Sequence, residues 1–337
     1  MAGAPGMDAF KIAVRSGLFK ICPITEKGDS GQDLRTSASV LKGKTKRPTP
    51  GKAQHDWIDI PPELTEHNQE IDLHLDIVFI NNTFGLTTID DTVRYRMFIP
   101  LKSRKATALY DAIDKALRKY NYADYTIQTI YCDGEFRSVF DDVKDNMNVH
   151  MNYASRGEHD PTAERNNQHI KALFRVQFHR MPFKAIPKIL MEALAERVAE
   201  VSNYYPAKGG ISSCYSPEMI LVRRQIDYSK EFVAEIGSFV HGYGHDTQSD
   251  NRSCTIEGIY LGPTDSAQEG HKILDINTKR KVTRQHIKEL PMSSQVIKRV
   301  EEMAAKEGVY DLRTYSKCNG ELMEAQEVES GTVPSNC

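Results

Sequence analysis

The chain has 337 residues, of which 39% are hydrophobic and 27% charged, and its net charge is −2. That length accommodates two domains, and the composition is that of an ordinary soluble globular protein, neither low-complexity nor fibrous. The six cysteines (Cys22, Cys132, Cys214, Cys254, Cys318 and Cys337) form no CxxC pair and have no histidine at zinc-finger spacing. Neither a structural zinc site nor a disulfide framework is expected from them. No long apolar run opens the chain, so neither a signal peptide nor a membrane span is expected, and the expected compartment is reducing.

The near-neutral total conceals local charge. Lys42, Lys44, Lys46 and Arg47 cluster early, Lys279, Arg280, Lys281 and Arg284 cluster late, and the segment after Leu322 is acidic. Separate basic stretches in a neutral protein suit contact with a polyanion at particular places, although any one of them also suits a solvated surface. Residues 1–60 read as a flexible basic leader rich in Gly, Ser, Thr, Lys and Pro.

From Ile71 the pattern turns to strands. IDLHLDIVFI, FGLTTID and VRYRMFIPL are separated by Asn-Asn-Thr and Asp-Asp-Thr turn chemistry, which predicts two hairpins. In the first run Ile71, Leu73, Leu75, Ile77 and Phe79 share one face, and Asp76 lies mid-strand on the other. A carboxylate there is costly to bury alone, so it implies a partner cation or an open cleft.

A helix follows over 105–122, with Leu109, Ile113, Ala116, Leu117 and Tyr120 facing inward. The strand YTIQTIYC then ends at Asp133-Gly134, which places a carboxylate at the rim of a sheet. A short helix near 140–143 and a strand near 149–153 lead to PTAERNNQHIKALF, residues 161–174. Ile170, Leu173, Phe174 and Phe178 recur at steps of three and four, as on one buried helix face. Pro161 suits the first turn and Asp160 its cap. Glu164, Asn167, Gln168 and Lys171 share a polar stripe. A second long helix is expected over 183–204.

The resulting fold class is α/β, a mixed five-stranded sheet flanked by helices over 61–205. A connector over 206–231 precedes short strands over 232–292, with the spacing of a small β-barrel. A terminal helix over 294–306 leads to a polar tail within 293–337.

Asp76, Asp133 and Glu164 stand out together. In a three-strand meander followed by a helix and a strand, the first and fourth strands lie side by side, so their carboxylates can meet and the later helix can deliver a third. Oxygen ligands without His or Cys suit Mg²⁺ or Mn²⁺. Two such ions clamp an in-line displacement at phosphorus. Asp72 shares the strand face of Asp76 and is the competing carboxylate, and Glu135 reads as a neighbour of the site or as a solvated acid.

The ordered segments LHLDIVF, TTIDDTVRYRMFIPLKS, YCDGEF, GEHDPTAERNN, SPEMIL and GSFVHGY…GIYLGP…HKILDINTKRKVTRQHI resemble the integrase region of Copia-type (Ty1/copia) LTR retrotransposons. That family belongs to the DDE integrases and transposases of the ribonuclease H-like superfamily. The resemblance covers roughly residues 71–296. It implies a ribonuclease H-like core followed by a small SH3-like β-barrel. It implies Asp76, Asp133 and Glu164 as catalytic metal ligands for about two Mg²⁺ (or Mn²⁺) ions. Asn167, Gln168 and Lys171, with Lys279, Arg280 and Lys281, would contact DNA. Retroelement DNA ends and target DNA would be the partners, with a homo-oligomer working in the nucleus, reached through the cytoplasm, and no membrane. The chain departs from the family in three ways. No His/Cys zinc module precedes the core, the gap from Asp133 to Glu164 is short, and no Asn stands between Asp133 and Gly134. With no protease or reverse-transcriptase signature, it reads as part of a larger polyprotein, as a decayed or separate reading frame, as a DNA-binding remnant, or as a nuclease of the same fold.

Overall fold

The structure is a computed structural model that describes Lys42 and residues 57–65, 68–81, 83–153, 160–243, 253–264 and 270–312. Most of the expected leader, including Lys44, Lys46 and Arg47, and the tail beyond residue 312 lie outside the described residues.

A single helical turn, α1 (Pro62–Thr65), precedes the first sheet, whose strands are β1 (Glu70–Ile80), β2 (Thr83–Asp90), β3 (Arg96–Pro100), β4 (Thr126–Cys132) and β5 (His150–Tyr153). Their spatial order is β3-β2-β1-β4-β5. The first three form the expected antiparallel meander, while β4 runs parallel to β1 and β5 parallel to β4. Helices α2 (Ala106–Asn121), α3 (Phe140–Met147), α4 (Pro161–Arg180) and α5 (Lys188–Ser202) flank it. This five-stranded mixed sheet with its helices is compatible with the ribonuclease H-like core expected from the sequence.

The alternation along β1 divides the interior. Ile71, Leu73, Leu75 and Ile77 pack with Leu109, Ile113, Ala116, Leu117 and Tyr120 of α2, the same helix face read from the sequence. On the other face Val78 and Ile80 join Ile170, Phe174 and Phe178 of α4 and the apolar face of α5. Each large side chain so buried contributes about 1.5–3 kcal/mol. Only the first half of that second face, Asp72, His74 and Asp76, is polar and partly open.

Two details differ from expectation. The helix expected from residue 183 begins at Lys188, because Pro187 is its N-cap in an extended conformation and cannot donate into a preceding turn. Asp90, expected within a simple turn, is fully buried and organises the β2–β3 connection. Its carboxylate accepts from the N–H groups of Thr92, Val93, Arg94 and Tyr95 and from the Tyr120 hydroxyl.

The connector holds α6 (Pro217–Val222) and α7 (Tyr228–Glu231). Buried Arg197 of α5 anchors it, pairing with Glu200 at 2.9 Å and with Glu231 at 3.3 Å. The second sheet comprises β6 (Phe239–Tyr243), β7 (Thr255–Pro263), β8 (His271–Asp275), β9 (Lys281–Arg284) and β10 (Ile287–Glu289). Where the sequence led us to expect a small SH3-like β-barrel, these strands form an open antiparallel sheet in the order β10-β6-β7-β8-β9. Among the described residues its two end strands do not pair with each other. Ile259, Leu261 and Leu274 of this sheet, with Val296, Val300 and Met303 of the terminal helix α8 (Ser294–Lys306), share the core of α4 and α5. No described helix is long and apolar enough to cross a membrane.

Candidate functional site

The β1–β4 ladder decides where the strand carboxylates fall. Its last partners are His74 and Tyr131, and continuing that register by two residues brings Asp76 of β1 level with Asp133, the extended residue just after β4. Whether they share a face depends on a β-bulge. Ile71 pairs with Ile127 but Asp72 pairs with Thr129, which leaves Gln128 as an extra residue. Before the bulge Ile127 faces the α2 core, and after it Ile130 and Cys132 do. Thr129, Tyr131 and Asp133 are thereby turned to the face of Asp72, His74 and Asp76. A regular strand would have buried Asp133 against α2.

Asp76 is held by three groups. Its Oδ1 accepts from the Ile77 N–H at 2.7 Å, and its Oδ2 accepts from Asn167 Nδ2 at 2.5 Å. Asn167 Oδ1 accepts in turn from the Thr87 hydroxyl at 2.6 Å. Thr87 is the cross-strand partner of Asp76, so sheet and helix together fix the carboxylate. Burial is the main cause that pushes the Asp76 carboxyl up to about 6, and the negative charges of Asp133 and Glu135 add to it against the bonds from Ile77 and Asn167.

Helix α4 arrives as the sequence predicts. Asp160 caps it by accepting from the N–H groups of Thr162 and Ala163. The cap also has a tertiary partner that sequence reasoning missed, His74, whose Nδ1 lies 2.5 Å from Asp160 Oδ2. Burial opposes ionisation of Asp160, but His74 and the two N–H groups outweigh it and hold the carboxyl below its ordinary range. The His74 ring stacks on Tyr131, with centroids 5.1 Å apart. The available signal was period-two alternation, which puts His74 on the face of Asp76.

The polar stripe of α4 divides. Asn167 is buried and committed to Asp76 and Thr87, while Glu164, Gln168 and Lys171 are exposed. The basic triplet lies elsewhere, with Lys279 and Arg280 in the exposed turn after β8 and Lys281 opening β9. Lys279 adopts φ 59°, and its ammonium is lowered by a contact with, and the charge of, Lys306 on α8. Lys281 acts on Glu192 of α5. The structure thus brings together Asp76, Asp133 and Asn167 but not the triplet.

Two carboxylates brought level, one of them raised by burial and like charge, fit a hard divalent cation. Glu164 is not gathered with them. Among the described residues, no group of three or more His, Cys, Asp or Glu side chains stands together as a set that could hold a metal ion.

No family model matches the chain, and no curated protein matches it. Among solved structures it is similar to the crystal structure of the catalytic core domain of BIV integrase, with 11% identity and a TM-score of 0.35 over 46% of this chain and 94% of that one. A likeness of that size sets up no residue-by-residue correspondence.

Proposed function

We propose that the protein is a polynucleotidyl transferase that works on DNA phosphodiesters. In particular, we read it as the integrase region of a Copia-type LTR retrotransposon, performing 3′-end processing and then strand transfer of element DNA into target DNA. The observation that carries this reading is the meeting of Asp76 and Asp133 on one sheet face through the β1–β4 bulge, with the Asp76 carboxyl raised and held by Asn167. Asp76 and Asp133, with Glu164 as third ligand, would hold Mg²⁺ or Mn²⁺, two ions in the full site. Bound there, the ions supply Lewis-acid stabilisation of the attacking and leaving oxygens.

The chain's own residues position and attract. Asn167 and the Ile77 N–H fix the Asp76 rotamer before any ligand arrives, which limits reorganisation. The exposed Gln168 and Lys171 line the helix flank along which a DNA strand would approach, and a lysine there neutralises phosphate. Joining two element ends calls for a homo-oligomer acting in the nucleus. Lys279, Arg280 and Lys281 would meet DNA from the second sheet, whether it stays open or closes as an SH3-like barrel.

A second reading, a non-catalytic DNA-binding remnant of such an element, is favoured by one observation, the exposed Glu164 outside any three-acid set. Calorimetric titration of Mn²⁺ and a strand-transfer assay on labelled duplex ends separate the two. Catalysis requires Mn²⁺ binding and joined products that vanish in Asp133→Asn and Glu164→Gln. Products surviving in Asp133→Asn would sink the assignment, and the absence of a binding heat would establish the remnant. Cut but unjoined products on a sizing gel would indicate a nuclease of the same fold.

A further inference from the structure

Two neighbouring arginines, Arg94 and Arg96, form no ion pair with a described carboxylate. Arg96 opens β3 opposite Ile89, which stands opposite His74. Directly opposed residues of a ladder share a face, so Arg96 projects on the face of His74 and Asp76, two strands away. Its backbone is clamped by Asn203 at the end of α5. The Arg96 N–H donates to Asn203 Oδ1 at 2.8 Å, and Asn203 Nδ2 donates to the Arg96 carbonyl at 2.8 Å. Arg94 sits two residues earlier with φ 67°, its N–H bonded to Asp90.

The guanidinium groups themselves are poorly served. The Nε atoms of Arg94 and Arg96 are both buried without a hydrogen-bond partner. Arg96 Nη1 makes one long donation, 3.4 Å, to the Arg94 carbonyl. Neither guanidinium forms an ion pair with a described carboxylate. The carboxylate that acts on Arg96, Asp90, stands opposite Leu73 and therefore on the other face of the sheet. Its oxygens are already filled by four N–H groups and the Tyr120 hydroxyl. Burial lowers the pKa of Arg96, and the Arg94 charge lowers it further. His169 of α4 is lowered by burial and then by Arg96, so the helix adds a third group of the same sign when protonated.

A buried unpaired guanidinium edge is costly, and two side by side cost more. The ligand that answers them is an anion with oxygens spaced for a guanidinium fork, which is a phosphate group. Resting on the reading of the protein as a DNA-processing enzyme, we propose that Arg94 and Arg96, flanked by His169, form a phosphate-binding site that grips the DNA backbone.

The test has two arms. Inorganic phosphate is titrated into the ¹⁵N-labelled protein while the arginine Nε–H and His169 resonances are followed. Duplex DNA affinity is then measured in EDTA against salt for the wild type, Arg94→Gln, Arg96→Gln and the double variant. The expected result is saturable movement of both Nε–H signals, lost in Arg96→Gln, and a salt slope that falls by about 0.9 for each phosphate contact removed. Unmoved arginine and histidine signals overturn the site, and a lower Tm in Arg96→Gln with both arms unchanged marks Arg96 as a clamp for β3 alone. Phosphate binding with an unchanged DNA slope overturns the assignment to DNA. Mn²⁺-dependent cleavage by the wild type, scored separately, tests the catalytic reading itself.

Discussion

Replacing Asp76 by asparagine should make the metal-free protein more stable, and only above about pH 4. The Asp76 carboxyl is raised from 3.8 to about 6, first by burial and then by Asp133 and Glu135. A group whose folded pKa lies above its unfolded one binds its proton more tightly in the folded state. Its contribution is therefore fully present below the unfolded value and lost as pH rises through the folded one. At pH 8 the ionised carboxylate costs stability. At about 1.4 kcal/mol per unit the cost would approach about 3 kcal/mol, and partial exposure to solvent reduces it to about 1–1.5 kcal/mol. The hydrogen-bond network can survive the change. The Asn167 amide can flip so that its oxygen accepts from the side-chain amide introduced on β1, while the Thr87 hydroxyl turns to donate to the backbone carbonyl of the substituted residue, 3.0 Å away. For a chain of this size Asp76→Asn should raise Tm by about 2–5 °C at pH 8 in EDTA. The gain should shrink as pH falls from about 6 and vanish below about 4. Thermal melts at half-unit pH steps decide it. A loss of stability at pH 8 would show that the bonds from Ile77 and Asn167 outweigh burial, and a gain that ignores pH would show that ionisation of Asp76 is not its cause.

Three further substitutions probe the frame of the site. Asn167→Ala removes the donor that orients Asp76 and should weaken Mn²⁺ binding about 10–100-fold by calorimetry, with unchanged affinity refuting its positioning role. Asp160→Ala removes the cap of α4 and its link to His74, costing about 1 kcal/mol or more near pH 7. The amides of Thr162 and Ala163 should then exchange faster with solvent. Because the Asp160 pKa is lowered, its contribution should persist down to the ordinary carboxylate range and disappear as pH drops through the folded value. Arg197→Ala strands Glu231 beside a half-buried Tyr204 network and should cost about 3–5 kcal/mol in denaturant melts, whereas a cost below about 1 kcal/mol would mean that the connector is anchored elsewhere.

Much of the core was legible because it follows from periodicity. The inner face of α2, the capped start of α4 at Pro161 and the odd-numbered face of β1 are each set by local spacing, and the structure repeats them except at Phe79, which was expected on the inward face of β1 and is exposed. Placing Asp133 was a different problem. Counting alternation back along YTIQTIYC puts Asp133 on the same side as Ile127, in the α2 core. Only the unpaired Gln128 reverses that parity, and Gln128 and Thr129 are both polar, so the inversion leaves a faint trace in the sequence. Asn167 and His74 were hidden for a related reason. Each is a polar residue on a helix or strand whose meaning comes from a partner more than 80 residues away. A helical stripe predicts that Glu164 and Asn167 are neighbours, but not that Asn167 is buried against Asp76 and Thr87 while Glu164 stays exposed. That division is where the catalytic and non-catalytic readings part. Asn167 is bonded to Asp76 one turn below Glu164, so less than a helical turn of about 5.4 Å separates the exposed acid from the level of the strand pair. A metal ion drawn in by Asp76 and Asp133 would act on the first turn of α4, which Asp160 and His74 hold in place. In the catalytic reading, Asp160→Ala should therefore change Mn²⁺ affinity as well as stability. In the remnant reading it should change stability alone.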